Sequence, residues 1–364
     1  MEKTMNNNTN KTSFRKLYAF GVKLPIDLSL SENPLGCSPR VAMVLKGLSA
    51  KDFFDYPDPD SSKLRMALSK RLQVEANSIF VTNGSEAIIK LLPQVLLNEG
   101  NEVVIPELTF PMFEIATRLA GGRIVFSKMT DKFAIDINDA KARVSKNTKL
   151  VFLCNPNNPT GQIIQKQKIL NFIKSVKANV VVDEANIEFG GETVIGEVRR
   201  LKNLIVLRTF SKGFGLAGFR VGFCVANRDV IERLKGAGQP FPVSSIAQKA
   251  AVLALEDRRF MKKTKEFMEK ERVFLTKELS LRGFRVVESE ANNLLVEVNK
   301  VFKSSTEFVN KLNEKGVSVV DGASFKGLNG RFIRVSPRLR ITNEKFIKAI
   351  DDILCELAIK KADD

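Results

Sequence analysis

The chain has 364 residues, 44% of them apolar, and a formal charge of +17, enough to bury a sizeable core in one large and one smaller domain. It contains no histidine, which excludes Ser-His-Asp hydrolysis, histidine-ligated zinc and histidine general-base chemistry. No apolar run reaches membrane-spanning length, and the basic residues are spread out with no nucleic-acid-binding module, leaving an anionic small substrate or a merely basic surface as readings of the charge.

The first residues, MEKTMNNNTNKTSFRK, are polar and lack an apolar segment, so they read as a disordered leader and not a signal peptide. Residues 1–45 form an arm too short to fold alone, expected to join the small domain or a partner subunit. From 46 to 245 the pattern is α/β. Near-continuous apolar runs rich in β-branched residues predict strands buried on both faces of a mostly parallel sheet. They are SIFVT (78–82), EVVIP (102–106), RIVFS (123–127), KLVFLC (149–154), NVVVD (179–183), LIVLRT (204–209) and RVGFCVA (220–226). Helical patterns such as GSEAIIKLLPQVLL (84–97) and FPMFEIATRLAG (110–121) lie between them. Residues 246–364 are expected to form a smaller α+β domain, entered through one long amphipathic helix that starts at Ser245. The short strands FRVVES, NLLVEV, VSVVDG and RFIRVS follow, then a final helix over 343–360. Cys37, Cys154, Cys224 and Cys355 show neither disulfide nor metal spacing and read as reduced thiols of a cytoplasmic protein.

The segment RTFSKGFGLAGFRVGF (208–223) contains G-x-G-x-x-G at Gly213, Gly215 and Gly218. A dinucleotide loop requires a helix after those glycines. Here only Phe219 separates Gly218 from the strand-like RVGFCVA, so there is no room for one. The segment fits instead a lysine, Lys212, exposed at a strand's carboxyl end. Thr209, Ser211 and Arg220 around it suit a phosphorylated aldehyde, which the lysine would bind as a Schiff base while they hold phosphate oxygens. That aldehyde would be pyridoxal phosphate. Taken alone, a lysine on a loop is far more often a solvated surface charge, so the reading needs independent support.

Other segments add to it. VVVDEANIEF (180–189) ends a buried strand in Asp183, which suits a partner for a pyridine nitrogen or a cap for the next element. In FLCNPNNPTG (152–161), Asn158 sits in a turn from which it could reach the ring hydroxyl. FVTNGSEA (80–87) starts a helix whose Gly84, Ser85 and Glu86 N–H groups form an anion site. Phe110, in PELTFPMF (106–113), is either a ring-stacking aromatic or core.

In this order and spacing the segments resemble the fold-type I pyridoxal-phosphate enzymes of the class I/II aminotransferase superfamily, and most nearly its histidinol-phosphate aminotransferase branch. The likeness runs from LSLSENPLGCSPRV (28–41) through YPDPDSSKLRMAL (56–68) to FIRVSPRLRITNEKFIKAI (332–350). It implies an α/β fold with a mostly parallel central sheet flanked by helices and a smaller α+β domain. It also implies roles: Lys212 as Schiff-base lysine, Asp183 at the pyridinium, Asn158 on the ring hydroxyl and Phe110 stacked on the ring. Thr209, Ser211 and Arg220 would cup the phosphate with the Gly84–Ser85 backbone and the adjoining Glu86 N–H. Tyr56 would reach the cofactor phosphate of the other subunit of a homodimer, and Arg334 would bind the substrate carboxylate. The partners implied are a small amino donor and a 2-oxo acid, with no metal, membrane or nucleic acid.

The chain departs from the family in places. Asn186 stands where a tyrosine shares the ring hydroxyl, Pro242 where Asn is frequent, and Ser31 where Asn is usual. Arg338, four residues after Arg334 and expected with it to bind substrate, makes an arginine pair like that of the threonine-phosphate decarboxylases, which also lack that tyrosine. A decarboxylase of amino-acid phosphates is therefore the alternative reaction. A catalytically silent cofactor-binding relative is a third reading, opposed by the intact Lys212, Asp183 and Arg220.

Overall fold

The computed structural model describes residues 23–363. The leader and the first 22 residues of the expected arm lie outside the described residues. A short strand, β1 (Ile26–Asp27), is followed by the strands of the main sheet: β2 (Ile79–Thr82), β3 (Glu102–Pro106), β4 (Arg123–Ser127), β5 (Thr148–Cys154), β6 (Asn179–Asp183), β7 (Leu204–Thr209) and β8 (Gly222–Val225). Their order is β2-β8-β7-β6-β5-β3-β4. Only β8 runs against its neighbours, so the sheet is mostly parallel, as the apolar runs predict.

Alternation explains those runs. Val151, Leu153, Val180, Val182, Leu204 and Val206 point into one core, while Leu150, Phe152, Val181, Ile205 and Leu207 point into the other. With helices on both faces, every position of a central strand is buried and apolar. Ile88, Ile89 and Leu92 of helix Ser85–Leu96 and Val230, Ile231 and Leu234 of helix Arg228–Ala237 close one face. Helices Ser62–Leu72, Lys166–Ser175 and Ser245–Glu256 close the other.

The small domain contains β9 (Arg285–Val286), β10 (Leu294–Glu297), β11 (Val317–Ser318), β12 (Val320–Asp321) and β13 (Phe332–Val335). Four of them form an antiparallel sheet, β12-β13-β10-β9, while β11 pairs in parallel with β1. VSVVDG thus supplies two strands. Helices Arg258–Leu281, Ser305–Glu314 and Arg340–Asp363 pack on them.

The structure corrects two expectations. The helix expected from Ser245 breaks at Asp257, whose side chain accepts from the Phe260 N–H to cap the helix Arg258–Leu281, and also accepts from the Ser38 hydroxyl. Ala247, Ala250, Ala251 and Ala254 before the break belong to the large core, and Leu275 and Leu279 after it to the small one. The cores divide at Asp257, later than the 245/246 boundary. The described part of the arm serves both domains: Leu28 is in the small-domain core, while Val41 and Val44 of helix Pro39–Lys46 are in the large one. All four cysteines are free, two of them buried.

Candidate functional site

Strands β5, β6 and β7 end side by side at one edge of the sheet, where parallel α/β sheets present ligands. Their last residues, Cys154, Asp183 and Thr209, line one cavity of about 160 Å³. Around it stand Ser85, Glu86, Phe110, Asn158, Asn186, Ser211, Lys212, Arg220 and Arg334. Most of these residues come together because they end a strand, follow a strand end or start the next helix, while Arg334 comes from within a strand of the small domain.

Asp183 is 3% exposed, and its Oδ1 accepts the Ala185 N–H at 3.0 Å. Burial pushes its carboxyl up to about 7, with Glu184 adding to the rise, while the Ala185 N–H and the Lys212 charge oppose it. Lys212 is displaced the other way. Burial, then the Arg334 and Arg220 charges, bring its ammonium down to about 8, against the pull of Glu32 and Asp183. A neutral amine is therefore available near physiological pH, which an ordinary lysine does not offer. The lysine loop is held from outside: the Asn33 side-chain amide donates to the Gly213 carbonyl at 2.8 Å and to the Thr264 hydroxyl at 3.2 Å.

The anion cup forms where β8 crosses the start of helix Ser85–Leu96. Gly84 precedes that helix with φ 76° and offers no capping side chain, and Ser85 and Glu86 of the first turn line the cavity. Arg220 donates to the Ser211 hydroxyl at 3.2 Å, and a methyl on Gly84 would lie 2.9 Å from Arg220 Nη2. The Thr209 hydroxyl accepts the Ser211 N–H, ordering the same corner. Gly222 permits the crossing, because a Cβ there would lie 2.1 Å from the Ser85 nitrogen. Gly222→Ala is expected to displace the cup by about 1 Å and weaken cofactor binding about 10–100-fold, read by equilibrium titration of the cofactor-free chain.

Arg334 rises from β13 into the same cavity, donating to Asn158 Oδ1 at 3.0 Å and to the Ser29 carbonyl at 2.7 Å. Asn157 braces the opposite wall: it donates to the Leu108 carbonyl and the Thr160 hydroxyl, and accepts from Thr109. Phe110 meets Phe113 edge-on, its ring centroid 5.8 Å away.

Two expected residues stand apart from the cavity. Arg338 pairs with Glu32 at 3.1 Å and lines a neighbouring cleft with Asn33, Gly215 and Gly218. The turn of chain after β13 carries it past the site that Arg334 enters. Tyr56 is 82% exposed and stacks on Phe241, with centroids 4.6 Å apart. Leu30, Ser31, Cys154 and Phe325 also line the cavity, and no sequence motif assigns a chemical role to Leu30 or Phe325. The only hint of Phe325 in the sequence is the glycine-rich loop DGASFKGLNG around it.

These residues fit a phosphorylated pyridine aldehyde. Asn186 Oδ1 is a buried acceptor with no donor, a cost that a ligand hydroxyl would remove. The Gly84 cradle would be filled by a methyl group, the anion cup matches a phosphate, and Asp183 and Lys212 suit a ring N–H and an aldehyde. No group of three or more His, Cys, Asp or Glu that could hold a metal ion is found among the described residues.

Comparison with known proteins gives the same assignment. Residues 24–353 match the family "Aminotransferase class I and II". The chain is 35% identical over 340 residues to the histidinol-phosphate aminotransferase of Caldicellulosiruptor saccharolyticus, covering 92% of this chain and 93% of the relative. It is 37% identical over 341 residues to that of Moorella thermoacetica, covering 92% and 86%. The crystal structure of the histidinol-phosphate aminotransferase from Clostridium acetobutylicum superimposes with a TM-score of 0.85 at 26% identity, covering 91% of this chain and 99% of that one.

Proposed function

The chain belongs to the class I and II aminotransferases and is a pyridoxal-phosphate-dependent transaminase; from that premise we propose that it moves the amino group of histidinol phosphate, or a close amino-alcohol phosphate, to 2-oxoglutarate. The observation that carries this reading is that Lys212 and Asp183 line one cavity together with the cations Arg220 and Arg334.

The cofactor, when bound, supplies an electron sink that stabilises negative charge at the donor's Cα. Lys212 would hold the cofactor's aldehyde and, as a neutral amine, would move the proton to and from the donor's Cα. With no histidine in the chain and its own pKa near 8, it is the base for this step. Asp183 would hold the ring nitrogen's proton. Thr209, Ser211, Arg220 and the Gly84–Glu86 backbone would hold the phosphate, and Phe110 would offer the ring an aromatic surface. Asn158 and Asn186 bind the ring hydroxyl, with Asn158 also orienting Arg334 through their hydrogen bond. Arg334 takes the acidic group of the 2-oxo acid or of the donor. Arg338 would join it only by leaving Glu32.

The protein is proposed to act as a homodimer. Phe53 and Phe54, each 70% exposed, precede Tyr56 closely in sequence, and Tyr56 stacks on the half-exposed Phe241, a concentration of exposed aromatic side chains that suits an interface. Across it Tyr56 would reach the partner's phosphate. The particle should sediment at twice the chain mass, and Tyr56→Phe should weaken cofactor binding about 10-fold, the value of one charge-assisted hydrogen bond. A monomer with full cofactor affinity would refute this. No helix among the described residues is long and apolar enough to cross a membrane.

A steady-state screen of amino donors tests the reaction. Pyridoxamine phosphate formed from histidinol phosphate supports the reading. Carbon dioxide released from threonine phosphate, with no oxo product, would replace it with decarboxylation.

A further inference from the structure

Phe325 lines the candidate cavity beside Arg334 and Phe110 and is 4% exposed. It follows the small-domain turn Gly322–Ser324, which is fixed at its base. Asp321 accepts hydrogen bonds from the Ser305 and Thr306 hydroxyls and the Ala323 N–H, and the Phe325 N–H donates to the Gly322 carbonyl. The next residue, Lys326, crosses to the large domain. Its ammonium lies 3.2 Å from the centroid of the Phe126 ring on β4. One loop therefore puts an aromatic ring into the site and anchors itself on the opposite domain with the neighbouring side chain. Phe110, Pro111 and Phe325 are also the wall shared with an adjoining cavity of about 100 Å³, which reaches Glu107, Phe126 and Lys326.

We propose that Phe325 is a specificity-determining residue, the surface against which a ring-bearing side chain of the amino donor lies, and that Lys326 is the positioning residue that holds it there through Phe126. The inference rests on reading the Lys212 cavity as the amino-transfer site. The Arg334 guanidinium is 5.8 Å from the Phe325 ring. A donor whose anionic end is held at Arg334 must then place its neighbouring atoms beside that ring. A flat, partly apolar side chain such as an imidazole gains contact area and a stacking face there. The short acidic side chain of glutamate gains neither. Lys326 is well suited as an anchor, because an ammonium over an aromatic face is attracted while its methylene stem covers apolar surface.

The test measures both half-reactions of the cofactor-loaded enzyme, with histidinol phosphate and with glutamate as donors, alongside thermal midpoints. Phe325→Ala is expected to raise the KM for histidinol phosphate about 10–100-fold, the range for losing a hydrophobic side-chain contact, with kcat and the glutamate KM within about 2-fold of the parent. Phe325→Leu, which keeps the apolar volume, should fall between. Lys326→Met, which keeps the stem and loses the charge, should raise the same KM about 3–10-fold, and adding Phe126→Leu to it should give no further loss, because the two act as one contact. Equal effects on both donors, or none, would overturn the inference while amino transfer from histidinol phosphate stood. A parent enzyme that accepts no ring-bearing donor would overturn the proposed function, and this inference with it.

Discussion

Lys212→Ala should abolish amino transfer, with kcat falling about 10⁴-fold or more, at the upper end of what a single proton-transfer group contributes. Two losses would combine in that figure: the proposed covalent hold on the cofactor and the base proposed to move the proton. The residue's surroundings also set a pH dependence. Burial and the Arg334 charge bring Lys212 to about 8, so its neutral form grows as pH rises through 8 and is nearly complete a unit above. Attachment of pyridoxal phosphate to the cofactor-free chain should therefore speed up between about pH 7 and 9 and then level off. An unshifted lysine would keep gaining rate past pH 10. Stopped-flow absorbance of reconstitution against pH measures this directly, and a rate still climbing above pH 10 would contradict the assigned environment.

The second large effect is expected at Asp183. In the cofactor-free chain, burial holds its carboxyl at about 7, so it is half-protonated at neutral pH. A ring N–H cation beside it stabilises the carboxylate, and the carboxylate in turn keeps that nitrogen protonated. Asp183→Asn keeps the shape and removes the charge. On the order of 10³-fold should be lost from kcat, comparable to removing one preorganised electrostatic partner from a buried site. KM should change little, because the loss falls on charge that develops during the reaction and not on binding. Asp183→Glu should retain more activity than Asp183→Asn. Equal activity in the two variants would show that the charge is not what matters.

Much of this was legible in the sequence, for a physical reason. Strands covered by helices on both faces are apolar at nearly every position, so runs such as KLVFLC and NVVVD identify a parallel sheet and, at their carboxyl ends, the ligand edge. The lysine segment was legible by exclusion: no helix follows Gly218, and the structure has only a single helical turn, Ala217–Phe219, before β8. Other features depend on contacts that no local pattern carries. The break at Asp257 is a capping event inside an otherwise continuous amphipathic stretch, with Ser38 held against it from 219 positions away. Arg334 and Arg338 look alike in RVSPR, yet Arg334 lies within β13 and enters the cavity, while the turn that follows the strand leaves Arg338 with Glu32. Phe325 sits in a glycine-rich loop whose importance comes only from where the small domain docks.

The most direct test is borohydride reduction of the cofactor-loaded protein followed by peptide mapping. Reduction fixes any imine as a stable secondary amine, so the residue that holds the cofactor is read as a mass. The mass increase is predicted on Lys212 alone. A label on another lysine, or none in protein that retains pyridoxal absorbance, would contradict the account.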